Sequence, residues 1–280
     1  MAEFILFSSY PILALIVGLV IGSFLNVVIY RLPLMMLAQY DEENEGAKPV
    51  NLWWPPSHCP QCEKPVLKRD NIPVISWLLL KGKCRFCGNG ISAQYPITEA
   101  VVGLWFFVMA FYLVPRISVT EFVFCMGLFC VLYTLAVIDI KTLYLPDPLV
   151  YMLLWGGVLA SVFGIIPVKP QQSVLGIVVS WALMYTVMTL YKKFRHQDGL
   201  GNGDVKLYAA ASAWLGLDLL PELILISAVV GGFVYFVSWA YYEKILRVSE
   251  SPLIKENNYI PYGPAIAVAT LILFHVNIVQ

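Results

Sequence analysis

The sequence predicts an all-α polytopic membrane protein with about eight transmembrane helices and one large polar loop. Of its 280 residues, 59% are hydrophobic and only 13% are charged, and the mean hydropathy is +0.75. A soluble domain has about 45–50% apolar and about 25% charged residues. The apolar residues also form runs close to the roughly 17–25 residues that cross a bilayer. These runs lie near residues 9–30, 98–115, 117–138, 148–168, 173–191, 205–221, 222–242 and 262–279.

The first run ends at Arg31 without a basic segment before it, so we expect a retained helix rather than a cleaved signal. The sixth and seventh runs abut at Pro221 and could merge or re-enter there. Basic residues favour the cytoplasmic side of short loops. With the N-terminus outside, all of the 18 Lys and Arg residues except Arg116 and Lys169 lie in cytoplasmic segments. Both termini are therefore expected outside.

Three regions follow from this organisation. Residues 1–30 form the first transmembrane helix, residues 31–97 a cytoplasmic loop domain, and residues 98–280 a helical membrane domain. This loop contains an acidic stretch at residues 41–45. The stretch could attract a basic partner, but a solvated loop explains it equally well.

The cytoplasmic loop contains two Cys-x-x-Cys pairs. This spacing matches a tetrahedral four-thiolate zinc site, which can fold a small loop that has little core of its own. Gly88, after the second pair, suits a tight turn. Two disulfides are the alternative, but a reducing cytoplasm disfavours them. His58 is a further candidate ligand, although an exposed histidine needs no such role. We predict structural Zn²⁺ on Cys59, Cys62, Cys84 and Cys87.

Two acidic residues stand at the edges of long apolar runs. Asp139 closes the third predicted span and Asp204 opens the sixth, so both are expected at the cytoplasmic face. A carboxylate in such a place is costly unless it is used. Two carboxylates about 3 Å apart share one proton, so that one acts as general base on a water and the other as general acid. The pair predicts a membrane-embedded aspartyl protease, in which Gly199, Gly201 and Gly203 would adopt positive φ and admit a substrate strand.

Simpler interpretations of the same residues remain open. Asp204 could only cap a helix, and Asp139 could only be a charge at a helix end. Asp147 could turn the chain into the next span, or it could be the catalytic partner of Asp204. Lys141 and Lys206 would face away from the neighbouring acids and contact phosphate or lipid headgroups.

Several motifs in order extend along nearly the whole chain and, together, resemble the bacterial type IV prepilin peptidase family. They are Gly22-Ser23-Phe24-Leu25-Asn26-Val27-Val28-Ile29-Tyr30-Arg31-Leu32-Pro33, the two cysteine pairs, Tyr95-Pro96-Ile97-Thr98-Glu99, the stretch from Asp139 to Asp147, the stretch from Gly199 to Lys206, and Pro261-Tyr262-Gly263-Pro264.

The resemblance implies an activity and a place for it. Members of that family remove the short basic leader of prepilins and pseudopilins at the cytoplasmic face of the bacterial inner membrane, for type IV pili and type II secretion. They then N-methylate the new N-terminal residue with S-adenosyl-L-methionine. Their catalytic aspartates fall on Asp139 and Asp204 and their non-catalytic acid on Asp147. The four cysteines match the zinc-binding form of the family. Membrane lipid is an expected partner, and nucleic acid is not.

The methyl-donor site is harder to find from the sequence. No Gly-x-Gly-x-x-Gly between a strand and a helix is present, so a soluble Rossmann site is not expected. The resemblance directs attention to residues 22–31 and the zinc loop, although Gly22 and Ser23 also suit close helix packing. Asn26 and Glu99 could bind substrate backbone or bond to each other across helices.

Two other functional classes compete with the protease. An ion-coupled membrane transporter would use the same aspartates as proton or cation ligands, but it predicts acids near the bilayer midplane and inverted repeats. A non-enzymatic scaffold built on the zinc loop would leave the glycines around Asp204 without a purpose.

Overall fold

The structure is a computed structural model and describes residues 2–40, 51–196, 199–245 and 261–279. In these ranges it is mainly helical, as the sequence predicts, and residues 51–93 consist mostly of turns, with one 3-10 turn at Lys68–Asp70, one short α-helix and two isolated bridges. The helices are α1 (Ala2–Tyr40), α2 (Ile75–Leu79), α3 (Gln94–Leu113), α4 (Val119–Thr142), α5 (Asp147–Val162), α6 (Pro170–Arg195), α7 (Asn202–Leu215), α8 (Leu220–Ile245) and α9 (Gly263–Val279).

Each predicted span falls on one of these helices, but their lengths differ. Among the described residues, five helices are long and apolar enough to cross a membrane: α1, α3, α4, α6 and α8. Two more, α5 and α9, are apolar but shorter. Helix α7 has 14 residues and is about 21 Å long, well short of a bilayer core of about 30 Å. The chain is thus a multi-pass membrane protein, and the number of eight crossings stays a prediction.

The chain divides into two compact units, Met1–Met126 and Gly127–Gln280. In the first unit, α1 packs along α3. Gly22 allows this close approach, because a Cβ there would lie 2.8 Å from the Cα of Glu99. The packing role of Gly22 that the sequence left open is therefore present.

Helix α1 does not stop at Arg31, where the predicted loop domain begins. It continues to Tyr40 through Pro33, because the residues after Arg31 are again mostly apolar. The Arg31 side chain is 8% exposed and donates hydrogen bonds to the carbonyls of Asn51 at 2.9 Å and Pro55 at 2.6 Å. These bonds satisfy a buried cation that would otherwise be costly within a helix of this kind. The acidic stretch 41–45 lies outside the described residues.

The second unit is organised around α7, which packs against α5, α6 and α9. Every residue from 205 to 215 except Lys206 is buried. Four alanines and one serine within 209–213 let the neighbouring helices come close. Trp214 Nε1 donates to the carbonyl of Leu153 on α5 at 2.8 Å, and Ser173 Oγ on α6 donates to the carbonyl of Ala213 at 2.8 Å. A short helix that is apolar on all sides is what a buried central position requires.

The break between α7 and α8 lies at residues 216–219 rather than at Pro221. Gly216 has φ +77°, which ends α7, and Pro221 stands in the first turn of α8. Proline is tolerated there because the first turn of a helix leaves its backbone N–H groups unpaired. The predicted boundary between the sixth and seventh spans was therefore late by about one turn.

Candidate active site and metal site

The four cysteines that the spacing predicted to converge do converge in the first unit. Their Sγ atoms all lie within 4.8 Å of one another, with 3.7 Å between Cys59 and Cys87 and 4.0 Å between Cys62 and Cys84. A tetrahedral zinc ion with Zn–S bonds of about 2.3 Å separates its sulfurs by about 3.8 Å. The cluster contains no disulfide, and His58 is not part of it. The donor set therefore fits a closed four-thiolate zinc site.

The two cysteine pairs form matching turns. In each turn the residue after the second cysteine donates its N–H to the carbonyl of the first, from Glu63 to Cys59 at 2.8 Å and from Gly88 to Cys84 at 2.9 Å. The flanking residues form an isolated antiparallel bridge in both turns. Glu63 has φ +56° and Gly88 has φ +70°. The turn predicted at Gly88 is confirmed, and the same conformation at Glu63 was not foreseen because glutamate rarely adopts it.

The surroundings of the sulfurs favour thiolates at some positions and oppose them at others. Backbone N–H groups of Cys87 and Phe86 lower the pKa of Cys84 to about 6, and those of Cys62 and Gln61 lower the pKa of Cys59. At Cys87 the N–H of Asn89 also lowers the pKa, but burial and the neighbouring cysteines outweigh it and raise the value to about 11. Four thiolates together thus require a cation, which a bound metal supplies.

Asp139 occupies the last turn of α4 and is 5% exposed. Its Oδ2 accepts a hydrogen bond of 2.8 Å from the backbone N–H of Gly263, at the start of α9. A carboxylate near a helix C-terminus faces the negative end of the helix dipole, at a cost of about 0.3–1 kcal/mol. Asp139 therefore does not serve the stability of its own helix, and a group from another helix holds it.

Asp204 lies in the first turn of α7 and is half-buried. Its Oδ2 accepts a hydrogen bond of 3.2 Å from the N–H of Gly201, and its own N–H donates to the Gly201 carbonyl at 3.1 Å. Asp204 thus does act as a cap at the helix start, where the dipole favours a negative charge. This bond engages one of its two carboxylate oxygens, so the capping role leaves the other oxygen available for chemistry.

The segments that support the two carboxyl groups face the same leucine within the second unit. The Leu145 side chain lies between their supporting glycines: a Cβ on Gly263 would lie 3.2 Å from Leu145 Cδ2, and a Cβ on Gly203 would lie 3.1 Å from Leu145 Cβ. One buried leucine therefore packs between the segment that supports Asp139 and the helix that carries Asp204.

Family comparisons follow the same division of the chain. The bacterial peptidase A24 N-terminal domain matches residues 16–113, and the type IV leader peptidase family matches residues 126–236. A protein of Neisseria gonorrhoeae is 36% identical over 280 residues, which cover 95% of this chain and 90% of that protein. The chain belongs to the type IV leader peptidase family.

Other relatives in this leader peptidase family agree. Proteins of Dickeya chrysanthemi and Pectobacterium carotovorum are 36% and 39% identical over 265 and 231 residues, covering 91% and 80% of this chain and 88% and 81% of theirs. All three relatives are named prepilin leader peptidase/N-methyltransferase. No solved structure matches the chain significantly.

Asp147, the other acid considered for this leader peptidase, has a different partner. Both of its carboxylate oxygens bond to Lys206 Nζ, at 2.8 and 2.9 Å. Lys206 therefore pairs with an acid on α5, where the sequence predicted contact with phosphate or lipid headgroups. Its position on α7 brings it to the side of α5, against which α7 packs. Both carboxylate oxygens of Asp147 are therefore bonded to a cation and not to another carboxyl group.

A further prediction, about the glycines near Asp204, was wrong. Gly201 has φ −71° and Gly203 lies inside α7, and neither they nor Gly199 has positive φ. Gly199 and Gly203 instead admit the side chains of Tyr191 and Leu145. The φ prediction failed because it treated the segment as a loop, whereas α7 already begins at Asn202.

Asn26 and Glu99 do not bond to each other. Asn26 Nδ2 donates to the Tyr95 carbonyl at 3.0 Å, and Glu99 Oε2 accepts from the Val74 N–H at 2.7 Å. The reason is register, because Tyr95, one turn before Glu99 on α3, is the residue that Asn26 reaches.

Sequence reasoning also missed residues that complete the site. Gly263 and Leu145 were recognised only as parts of motifs, because a backbone N–H and a leucine that fills space carry no chemical signature in a sequence. A glycine between two prolines, at 261–264, is the one available signal, since it indicates a close approach of backbone to another group.

Proposed function

We propose that Asp139 and Asp204 are the catalytic pair of a membrane-embedded aspartyl endopeptidase, which removes the leader of type IV prepilins and pseudopilins. The observation that carries this proposal is the placement of Asp139. It is almost fully buried at the unfavourable end of its own helix and bonded by the N–H of Gly263, and Leu145 lies between that glycine and Gly203, the residue before Asp204. A structural role explains Asp204 alone, but it does not explain the two together.

The chemistry follows from two carboxyl groups that share one proton. The ionised member takes a proton from a water molecule, which attacks the scissile carbonyl, and the protonated member donates its proton to the substrate. The pair titrates as a unit, so neither aspartate has a fixed role. The backbone N–H groups of Gly263 and Gly201 each hold one oxygen of a carboxylate in a fixed orientation, which reduces reorganisation during the reaction.

We place the pair at the cytoplasmic face of the bacterial inner membrane, in a chain that crosses it eight times with both termini outside. The distribution of basic residues supports this orientation. A prepilin presents a basic leader to the cytoplasm and an apolar helix to the lipid, so its cleavage bond lies where this orientation puts the aspartates.

The second activity is N-methylation of the new N-terminal residue, with S-adenosyl-L-methionine as donor. When bound, this cofactor supplies an electrophilic methyl group. Asn26 would hold it, because its Oδ1 is buried and has no hydrogen-bond partner among the described groups, while the ribose hydroxyls and the ammonium group of the cofactor are donors. Glu99, one turn from the Tyr95 carbonyl that Asn26 bonds, would provide a negative charge for the cationic donor. Asn26→Ala should lower methylation while leader cleavage persists.

We assign Zn²⁺ to the four cysteines as a structural ion. Four thiolates leave no open coordination position for a substrate, so the ion folds the loop and takes no part in hydrolysis. The transporter alternative is disfavoured by the position of the acids, since Asp139 lies in the last turn of α4 and Asp204 in the first turn of α7 rather than in the middle of a helix.

The test is cleavage of a prepilin that carries its leader by purified protein in lipid vesicles. Asp139→Ala and Asp204→Ala should each lower the cleavage rate by about a hundredfold to ten-thousandfold, as expected for loss of an acid–base group. Asp147→Ala is the matched control, because it removes an acid of the same unit that is ion-paired to Lys206, and it should retain activity. Wild-type cleavage by either folded variant of the pair would disprove the assignment.

A further inference from the structure

Three hydroxyl groups form a chain within the second unit. Tyr208 on α7 lies 2.6 Å from Ser227 on α8, measured between Oη and Oγ, and 3.2 Å from the Oη of Tyr262, which immediately precedes α9. Ser227 Oγ donates to the backbone carbonyl of Ile224 at 3.0 Å. Ser227 is fully buried and Tyr208 is 2% exposed, so these bonds form away from solvent.

Each hydroxyl has one hydrogen to donate and can also accept. The two bonds between hydroxyls link Ser227 to Tyr208 and Tyr208 to Tyr262, and either oxygen of each pair can be the donor. The chain therefore runs from Tyr262 through Tyr208 to α8, and Tyr262 is the residue at its free end that the bonds hold in place.

The peptide unit between Tyr262 and Gly263 is the one that reaches Asp139. Its N–H donates to Asp139 Oδ2 at 2.8 Å, while its carbonyl accepts the N–H of Ala265 at 3.0 Å in the first turn of α9. Both polar groups of this peptide unit are therefore bonded, the N–H to a carboxylate and the carbonyl to a backbone N–H. The Tyr262 side chain, attached to the adjoining Cα, fixes the segment from a third direction.

The Tyr262 ring packs against Gly231 on α8. A Cβ on Gly231 would lie 2.5 Å from Tyr262 Cε2, so only glycine admits the ring in this position. The next residue, Gly232, has no heavy atom within 4 Å of the same construction and faces open space. The two adjacent glycines therefore differ in one respect that matters here, contact with Tyr262.

The middle hydroxyl of the chain, that of Tyr208, belongs to the helix that carries the second aspartate. Tyr208 lies one helical turn after Asp204 on α7, on the same side of the helix. The hydroxyl chain thus connects the helix that carries Asp204 to the peptide that holds Asp139. This connection does not require any hydroxyl to contact a carboxyl oxygen.

We propose that Tyr262, held by Tyr208 and Ser227 and seated on Gly231, is a positioning residue that aims the Gly263 N–H at the Asp139 carboxylate. This inference rests on the proposed catalytic role of Asp139. Tyr262 acts through the Gly263 peptide and does not touch the substrate. Loss of its hydroxyl releases the segment, so that the carboxylate samples more orientations and fewer of them are productive.

The experiment compares steady-state cleavage of a leader-bearing prepilin by Tyr262→Phe, Gly231→Ala and Gly232→Ala. Tyr262→Phe keeps the ring and removes the hydroxyl, while Gly231→Ala displaces the ring and keeps the hydroxyl. Each should lower kcat by about tenfold and change KM by less than about twofold, because orientation is lost and binding is not. Gly232→Ala and Tyr235→Phe, which alters a tyrosine that is 55% exposed on α8, should leave both constants unchanged.

Methylation of a pilin that already lacks its leader is measured on the same preparations and should not change. An equal loss of cleavage and methylation in Tyr262→Phe would indicate general damage and overturn the positioning role. Asp139→Asn is assayed in parallel. Wild-type cleavage by Tyr262→Phe and Gly231→Ala with an inactive Asp139→Asn would overturn this inference alone, whereas an active Asp139→Asn would overturn the proposed catalytic pair.

Discussion

The four cysteines and the two aspartates are both clusters of ionisable side chains, but different kinds of structure bring them together. Each cysteine pair is arranged by its own turn, through bonds between residues four positions apart, and the two turns repeat the same conformation. The aspartates stand on two separate helices, and a third helix supplies the N–H that holds Asp139. The first site is locally encoded, and the second depends on how α4, α7 and α9 pack.

This difference indicates where each site is vulnerable. A metal supplies most of the energy that holds a four-thiolate site, so loss of one ligand damages the fold of the loop. The geometry of the aspartate site depends on close packing around Gly263, Gly203 and Leu145. Small changes of shape there should affect the reaction more than the stability of the protein.

Among substitutions that change only the packing of either site, the largest effect is expected from Gly263→Ala. The new Cβ would lie 2.8 Å from Asp139 Oδ2 and must displace the carboxylate. A displacement of this size should lower prepilin cleavage by about a hundredfold. Gly127→Ala, on the same helix as Asp139 and facing open space, is the control and should cleave normally. Equal rates for the two variants in a cleavage assay would mean that packing around Asp139 does not control the reaction.

Removal of a zinc ligand should lower the stability of the loop more than it lowers leader cleavage. Cys84→Ser should abolish stoichiometric zinc binding, measured by atomic emission, and lower the free energy of unfolding of the loop by more than about 3 kcal/mol. Leader cleavage per folded molecule should fall less than it does in Gly263→Ala. Cys130→Ala, which removes a thiol outside the cluster, should retain the zinc. Unchanged zinc content and thermal stability in Cys84→Ser would rule out a structural metal at this site.

The same difference explains how much could be predicted from the sequence. The spacing of Cys59, Cys62, Cys84 and Cys87 predicted their convergence, because short-range geometry determines it. The apolar runs predicted the helices, because a bilayer requires length and hydrophobicity. Asp139 and Asp204 were identified as unusual charges, but their supports were not, because Gly263 and Leu145 act through backbone and shape.

Boundaries and pairings were predicted less well. Arg31, predicted to end the first span, lies inside α1, where three carbonyls from residues 51–55 accept hydrogen bonds from it, and no local pattern reveals such partners. The pair of Lys206 with Asp147 likewise depends on the packing of α7 against α5. Long-range packing decided each of these features.

Within the cysteine turns, Glu63 and Gly88 offer a smaller and more local test. Glu63 has φ +56°, a conformation that costs a non-glycine residue about 1 kcal/mol or more. Gly88 has the corresponding conformation in the second turn, and glycine adopts it freely. Glu63→Gly should therefore raise the free energy of unfolding by up to about 1 kcal/mol, and Gly88→Ala should lower it by about as much. Thermal unfolding of the zinc-loaded protein measures both. Changes of the same sign in the two variants would contradict the equivalence of the turns.

The smallest effect is expected from the ion pair of Lys206 and Asp147. Their side chains are 31% and 39% exposed, and partly exposed pairs contribute about 0–1 kcal/mol. Lys206→Met should therefore lower the melting temperature only slightly and leave cleavage within about twofold of wild type. Salt should reduce the difference between variant and wild type. A loss of cleavage comparable to that of Gly263→Ala would place the pair within the catalytic machinery.

The most direct test of the catalytic pair is a double-mutant cycle on leader cleavage with Asp139→Asn, Asp204→Asn and the double variant, measured in single turnovers in lipid vesicles. Two groups that act as one unit give strongly non-additive effects. Each single substitution should therefore remove nearly all of the activity, and the double variant should be no slower than the slower single variant. Losses that add in free energy, or substantial cleavage by either single variant, would show that the two aspartates do not work as a pair.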